Sequence, residues 1–343
     1  MSNLIFLQTG PDKIAVGSGE LCFSDSASST TPSFYVNDFF LTKQQPWVIP
    51  SNFEEVSFHE FTDKYSCDKK TDCGASFEWA DLEDEKFKKF FHKIKQSIDK
   101  RIIEKIVPVI FEYSKIPQAM IGRELSTITS RLLPFCKSGL VLHGYSIDNQ
   151  GRCGLTPEIL VEYDGKNLVT YALAGTKLSA SGDKSLNNPK DLREHQLVVD
   201  DLKNVLSTFG QVNIGNTSVC RVGSLAHLKA TISVKTKDLL SLQDVIKVIH
   251  PTAAIGVYPR TPNATIILKS SDTKLPRQEF AAPFGIQYPN GASFCVASIR
   301  SCFWNKESIR IGAGCGIIEE SDLDSELQEL QMKLDSIKNR LNL

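Results

Sequence analysis

At 343 residues, with 41% hydrophobic and 23% charged residues, the chain has the composition of a soluble globular protein of one or two domains. A formal net charge of -1 offers no global attraction to nucleic acid or anionic lipid. Its nine cysteines (22, 67, 73, 136, 153, 220, 295, 302 and 315) include no C-x-x-C pair, which predicts free thiols in a reducing compartment and neither a disulfide framework nor a zinc site.

Met1 to Gly10 carries one short apolar run, Leu4 to Leu7, without the basic segment of a secretory signal. No stretch approaches the ~20 apolar residues of a membrane span. The expectation is a cytoplasmic protein with no membrane association. Residues 1–78 read as strand-rich, with Phe34-Tyr35-Val36 and Phe39-Phe40-Leu41 as short strands. From Asp81 to about Glu104, Phe87, Phe91, Ile94, Ile98 and Ile102 recur at helical steps opposite a lysine-rich face. That helix leads into Lys105-Ile106-Val107-Pro108-Val109-Ile110, a short apolar strand that begins with a lysine. The helix dipole alone accounts for a cation there.

A helix over Glu124 to Phe135 and strands at Leu140 to Ser146 and Ile159 to Tyr163 follow. Glu158, after Pro157 at the mouth of a strand, reads by itself as a turn acid. Val169 to Leu173 is a strand ending in the small-residue turn Ala174-Gly175-Thr176-Lys177, and Ser179 to Pro189 is a polar surface loop. In the helix from Asp191, Glu194 lies at the edge of the stripe of Val198, Leu202 and Val205, where a carboxylate is costly unless paired or bound to metal. Strands are predicted at Val212 to Ile214, Ser218 to Val222 and Leu225 to Val234. The last carries His227, which alone reads as structural.

A helix from Ser241 to Ile249 runs into the small-residue loop His250 to Arg260. Phe280 to Tyr288 and Ser293 to Cys302 form a hairpin about Pro289-Asn290-Gly291. Arg300 sits at its far end among apolar neighbours, where an arginine wants an anion. The glycine-rich Ile311 to Ile318 then precedes a helix whose Leu323, Leu327, Leu330, Leu334, Ile337 and Leu341 mark an apolar seam. Ser321 and Asp324 outline a capping box. Glu326, Glu329 and Lys333 form a row beside the seam, which helix statistics explain as a salt-bridged flank. Glycines admit an anion to backbone N–H groups, and carboxylates three apart can hold a hard cation. Together they suit a small carboxylate substrate bound through a divalent metal.

Taken in order, the motifs T-P-E (156–158), L-A-G-T (173–176), E-H-x-x-V-V-D (194–200), H-L (227–228), H-P-T-A-A (250–254), I-R (299–300) and A-G-x-G-I-I-E-E-S-D (313–322) mark the chain, from about Lys105 onward, as resembling the chorismate-utilising enzymes. The resemblance implies an α+β fold in which antiparallel sheets pack between helices. Residues 1–78 would be a strand-rich part of the same fold and 79–343 the chorismate-binding catalytic region, in one integrated domain. It implies Mg2+ held by Glu194, Glu326 and Glu329, Lys105 as general base, Glu158 as general acid and His227 near the enolpyruvyl group. Substrate contacts would come from Gly175, Thr176, Ala254, Phe280, Ile299, Arg300, Gly314, Gly316 and Lys333.

Within that family the chain is most similar to the isochorismate synthases. Ala174 stands where aminodeoxychorismate synthases place a nucleophilic lysine, so water is the expected nucleophile, and H-P-T-A-A is the form isochorismate synthases carry. The resemblance therefore implies chorismate as a small-molecule partner, no glutaminase subunit, a monomer or homodimer, and a product for menaquinone or siderophore synthesis. Salicylate synthase, an ammonia-using synthase subunit and a non-catalytic chorismate-binding protein are the alternatives. The chain departs from the family at Ile110, where arginine is usual, and at Val257 and Ala282, where glycine is common.

Overall fold

Short runs of Val, Ile, Phe and Tyr, broken by Gly, Asn and Pro, give this chain many strands and few long helices. The computed structural model describes residues 3–65, 77–80, 84–178, 188–222, 225–270 and 277–341. The chain opens with β1 (Leu4–Gly10), β2 (Lys13–Ser24), β3 (Ser33–Val36) and β4 (Trp47–Val56). Helices α1 (Phe58–Tyr65) and α2 (Asp84–Asp99) precede β5 (Lys105–Ile106) and β6 (Val109–Lys115). Helix α3 (Glu124–Leu132) leads to β7 (Val141–Ile147), β8 (Gln150–Thr156), β9 (Ile159–Tyr163) and β10 (Asn167–Leu178). After α4 (Pro189–Leu206) come β11 (Val212–Ile214), β12 (Ser218–Val222) and β13 (Leu225–Lys235). Helix α5 (Leu242–Ile249), β14 (Val257–Tyr258) and α6 (Pro262–Ser270) lead to β15 (Pro283–Gln287) and β16 (Ser293–Ala297). The last elements are β17 (Ser301–Trp304), β18 (Ser308–Gly314) and α7 (Leu323–Leu341).

Among the described residues, sixteen strands form one antiparallel sheet in the order β11-β13-β10-β9-β16-β15-β3-β4-β2-β1-β7-β8-β17-β18-β6, with β12 also on β13. Strands β5 and β14 make a separate two-stranded ladder. The N-terminal strands lie in the middle of the large sheet, so residues on both sides of position 78 build one sheet. Both faces are covered there: Ile5 and Leu7 of β1 pack with Phe34, Val48, Phe284 and Ile286 on one side, and Phe6 joins the main core on the other. Two buried faces remove the polar half of the alternation, which is why these strands read as apolar runs. Helix α4 packs on β10 and β13, and α7 on β18, with α3 between β8 and α7.

Several boundaries differ from the expectations, each for a local reason. Phe39 to Leu41 is a turn, with the Asp38 carboxylate accepting from the Phe40 and Thr42 N–H groups and Leu41 at φ 57°. Helix α2 ends at Asp99 because Arg101 turns left-handed (φ 55°), which leaves Ile102 and Ile103 beyond it. Pro108 splits the predicted lysine strand into β5 and β6, which belong to different sheets. The predicted helix to Phe135 tightens into a 3-10 turn from Leu133, where Pro134 stands. The second arm of the predicted hairpin breaks after Ala297, and Ser301–Trp304 pairs with β8 and β18 instead. Of the predicted surface loop, residues 179–187 lie outside the described residues, and Pro189 is already in α4.

Asp322, and not Ser321, accepts from the Ser325 N–H at the start of α7. The Ser321 hydroxyl instead accepts from Ile318 N–H and so closes the preceding turn. The seven described cysteines are free thiols; Cys67 and Cys73 lie outside the described residues. Among the described residues no helix is long and apolar enough to cross a membrane.

Candidate active site

The β5–β14 ladder fixes Lys105. Val107 N–H donates to Gly256 O (2.8 Å), and Ile106 exchanges hydrogen bonds with Ile317 (3.1 and 2.8 Å), so this backbone is clamped on both edges. The Lys105 side chain is fully buried and places Nζ 3.0 Å from Glu194 Oε1 on α4. Gly316 explains how the two pack so closely: a Cβ there would lie 2.1 Å from Glu194 Oε1 and 2.8 Å from Lys105 Cε. Gly316→Ala is therefore expected to displace Glu194 and cost about 1–3 kcal/mol of stability by overpacking, read from urea unfolding. An unchanged midpoint would mean the carboxylate gives way freely.

Glu158 follows β8 and is held through its backbone. Its N–H donates to Thr156 Oγ1 (3.1 Å), whose hydroxyl donates to Ala297 O (2.7 Å), while Ala297 N–H returns to Glu158 O (2.9 Å). The carboxyl is buried, and burial pushes its pKa from 4.5 up to about 8 against the opposing pull of Lys105, Lys333 and Arg300. The exposed turn acid suggested by sequence position is in fact an interior acid that stays protonated at neutral pH.

What reads in the sequence as a turn at Ala174 to Lys177 is a bulge inside β10, where the register with β13 shifts between Ala174 and Lys177. Gly175 takes φ 68°, which glycine adopts without strain. The bulge turns the Gly175 carbonyl toward His227 on β13, whose Nδ1 lies 3.0 Å away. A carbonyl only accepts, so Nδ1 carries the proton. Burial, followed by the Arg300 and Lys333 charges, drives the His227 pKa down to about 3, so the ring is neutral. Thr176 lies in the same bulge, and its side chain is outside the described residues.

One cavity is lined by most of the predicted substrate contacts: Gly175, Ala254, Phe280, Ile299, Arg300, Gly314, Gly316 and Lys333. Glu158, Glu194, His227 and Glu329 also line it, as does the apolar Ala174. Lys105 and Glu326 stand behind this lining. Arg300 is buried with φ 54°, a left-handed backbone costing about 1 kcal/mol or more, and burial pulls its pKa down to about 10. The loop carrying Ala254 is held from α4. Asp201 accepts from Ala253 N–H (2.8 Å) and from Arg260 Nε and Nη2 (both 2.7 Å). Asp201→Ala is expected to lose about 3 kcal/mol, since it leaves the Ala253 amide unpaired and the Arg260 charge without a carboxylate, held only by the carbonyls of Val248 and Ile249 (both 2.9 Å); a loss below 1 kcal/mol in chemical unfolding would contradict this.

The larger cavity, about 1190 Å3, opens elsewhere beside β1, β7, β9 and β16. Its charged lining, Asp12, Lys13, Glu162 and Asp164, is exposed or half-buried. It lacks the buried acid, base and cations of the smaller one.

The three glutamates predicted as metal ligands are each held by a lysine. Glu194 pairs with Lys105, Glu326 Oε1 with Lys190 Nζ (2.5 Å), and Glu329 Oε1 with Lys333 Nζ (2.7 Å). Lys333 also donates to Gly314 O (2.7 Å), so the α7 row is a salt-bridged flank as far as Glu329 and Lys333 go. Glu326 is not: it is fully buried, and its Oε2 has no hydrogen-bond partner among the described residues. Burial, then the neighbouring Glu329 charge, raises its pKa. Burial also works to raise that of Glu329, but the Lys333 and Lys190 ammonium groups together hold the carboxyl low.

Among the described residues no three His, Cys, Asp or Glu side chains already converge on a single point. The chemistry of the set nevertheless fits a hard divalent cation, with carboxylates from two helices, mutual repulsion between them and one bare oxygen. Lys190 is the member that sequence reasoning missed. Its i,i+4 spacing to Glu194 on α4 places it on the same helix face, but the partner it takes is the remote Glu326. The departures from the family are all interior: Ile110, Val257 and Ala282 are buried.

A family profile described as chorismate binding enzyme matches residues 52–342. The isochorismate synthase MenF of Bacillus subtilis is 31% identical over 203 residues, 55% of this chain and 42% of that protein. The vibriobactin-specific isochorismate synthase of Vibrio cholerae is 28% identical over 251 residues, 66% of this chain and 62% of that one. The chain thus spans about two fifths to three fifths of the length of these relatives. The menaquinone-specific isochorismate synthase MenF of Escherichia coli has the same fold: TM-score 0.80 at 18% identity, covering 99% of this chain and 89% of that one.

Proposed function

The chain belongs to the chorismate binding enzyme family, and we propose that it acts there as an isochorismate synthase, adding water at C2 of chorismate and expelling the C4 hydroxyl. The observation that carries this reading is the buried carboxyl of Glu158, which burial pushes up to about 8, in a cavity lined also by the cations Arg300 and Lys333. Such a group can give its proton to a departing hydroxyl, which would otherwise leave as hydroxide. Lys105 is paired with Glu194 at 3.0 Å and can act as the base only as the free amine, so the ion pair must first give up its proton as Glu194 turns to the metal. The amine then takes the proton released by the attacking water, Glu158 gives one to the departing hydroxyl, and the overall change is an isomerisation. Arg300 and Lys333 suit the two substrate carboxylates.

Mg2+ held by Glu194, Glu326 and Glu329 would neutralise a substrate carboxylate and polarise the ring without redox chemistry. His227, neutral and fixed by Gly175, has no charge with which to draw out pyruvate. The absence of an amine side chain at Ala174 supports water as the nucleophile. Both a menaquinone-specific and a vibriobactin-specific enzyme occur among the similar proteins, and either route would consume the product.

The test is to incubate the purified protein with chorismate and Mg2+ and identify products by chromatography and mass. Isochorismate without pyruvate is the expected result. Salicylate with pyruvate would show a lyase, an amino product formed only with ammonia would show an aminating synthase, and binding without turnover would reject an enzyme.

A further inference from the structure

We propose that Lys190 is a built-in placeholder for the divalent cation, an ammonium that ties α4 to α7 and must leave Glu326 when a metal enters. This rests on the proposed reading in one respect, that Glu194, Glu326 and Glu329 hold that metal. Lys190 lies in the first turn of α4, after Pro189 and the Asn188 cap, where the helix dipole disfavours a cation. Something must offset that cost. Its Nζ meets Glu326 Oε1, and it stands one helical turn before Glu194.

The charges also balance. Lys105, Lys190 and Lys333 neutralise three glutamates, and an added divalent cation would have no countercharge. Of the three lysines, Lys105 is clamped in a ladder and fully buried, and Lys333 is also tied to Gly314 O. Lys190 is the most exposed of the three, at 17%, and its partner Glu326 keeps a bare oxygen. It is the one free to swing out. A substrate bearing two carboxylates supplies the missing negative charge, so cation and substrate should each bind more tightly in the other's presence.

Calorimetric titration of the full chain with Mg2+, without substrate, tests this. Lys190→Met is expected to bind Mg2+ about tenfold more tightly than wild type, because a like charge is gone from the site. It should also melt earlier than wild type in EDTA and regain its midpoint with Mg2+. Lys190→Arg, which keeps the charge, should stay weak and serves as the control should Lys190→Met prove poorly folded. Unchanged or weaker Mg2+ binding by a folded Lys190→Met, or tight binding by Lys190→Arg, would reduce Lys190 to an ordinary ion pair and leave the proposed function standing. No Mg2+ binding by any form, with or without chorismate, would overturn both the placeholder and the metal assignment.

Discussion

Glu158→Gln is expected to fold normally and to turn over chorismate at about a thousandth of the wild-type rate. Glutamine keeps the shape and leaves the contacts of Thr156 and Ala297, which involve only the Glu158 backbone, untouched. What it removes is the proton. Because burial holds this carboxyl at about 8, wild-type activity should fall as pH rises through that value, when the acid ionises. Stability should move the other way in the variant. A folded pKa raised above the unfolded one contributes stability below the unfolded value of 4.5 and loses it as pH rises through about 8. Above pH 8 Glu158→Gln should therefore unfold at higher urea than wild type. A rate within tenfold of wild type would remove Glu158 as the acid.

The second large effect concerns Lys105. Lys105→Ala is expected to lose turnover by a similar factor of about a thousand, and in addition to lose about 3 kcal/mol of stability, because it strands the buried Glu194 carboxylate 3.0 Å from where Nζ was. The two losses are separable. A small primary amine added to the assay should restore part of the rate if Lys105 acts by accepting a proton, whereas a neutral alcohol of the same size should not. Lys105→Ala combined with Glu194→Ala should recover stability without recovering rate. Near-normal turnover in Lys105→Ala would dismiss it as the base.

How much of this was legible beforehand depends on the range over which each residue's environment is set. Glu329 and Lys333 lie four apart on one helix, and their ion pair is local, so the spacing revealed it. Helices α4, α5 and α7 carry their own stripes and were found nearly to the residue. The environment of Glu158 is made by a strand nearly 140 residues later in the chain, and nothing within ten residues shows that it is interior. The Gly175 bulge is set by the register of two strands, so from one strand alone it looks like a turn. The middle of the sheet hides its alternation because both faces are buried. Lys190 was overlooked because its partner Glu326 comes 136 positions later, and only the folded chain joins α4 to α7. The ordered motifs drew attention to these residues; only the packing shows which partner each one has.

The proposed reaction needs a carboxyl that is protonated at neutral pH inside the cavity, and that can be measured without any substrate. Difference infrared spectroscopy of the purified chain, titrated from pH 5 to pH 10, should show a protonated carboxyl stretch that persists past neutrality and disappears with a midpoint near 8, as expected for Glu158. The component with a midpoint near 8 should be missing from Glu158→Gln and retained in Glu326→Gln, which removes the other carboxyl that burial holds high. A Glu158 band that vanishes near the ordinary glutamate value of 4.5 would contradict its role as the acid, because the cavity would then hold no proton for the departing hydroxyl.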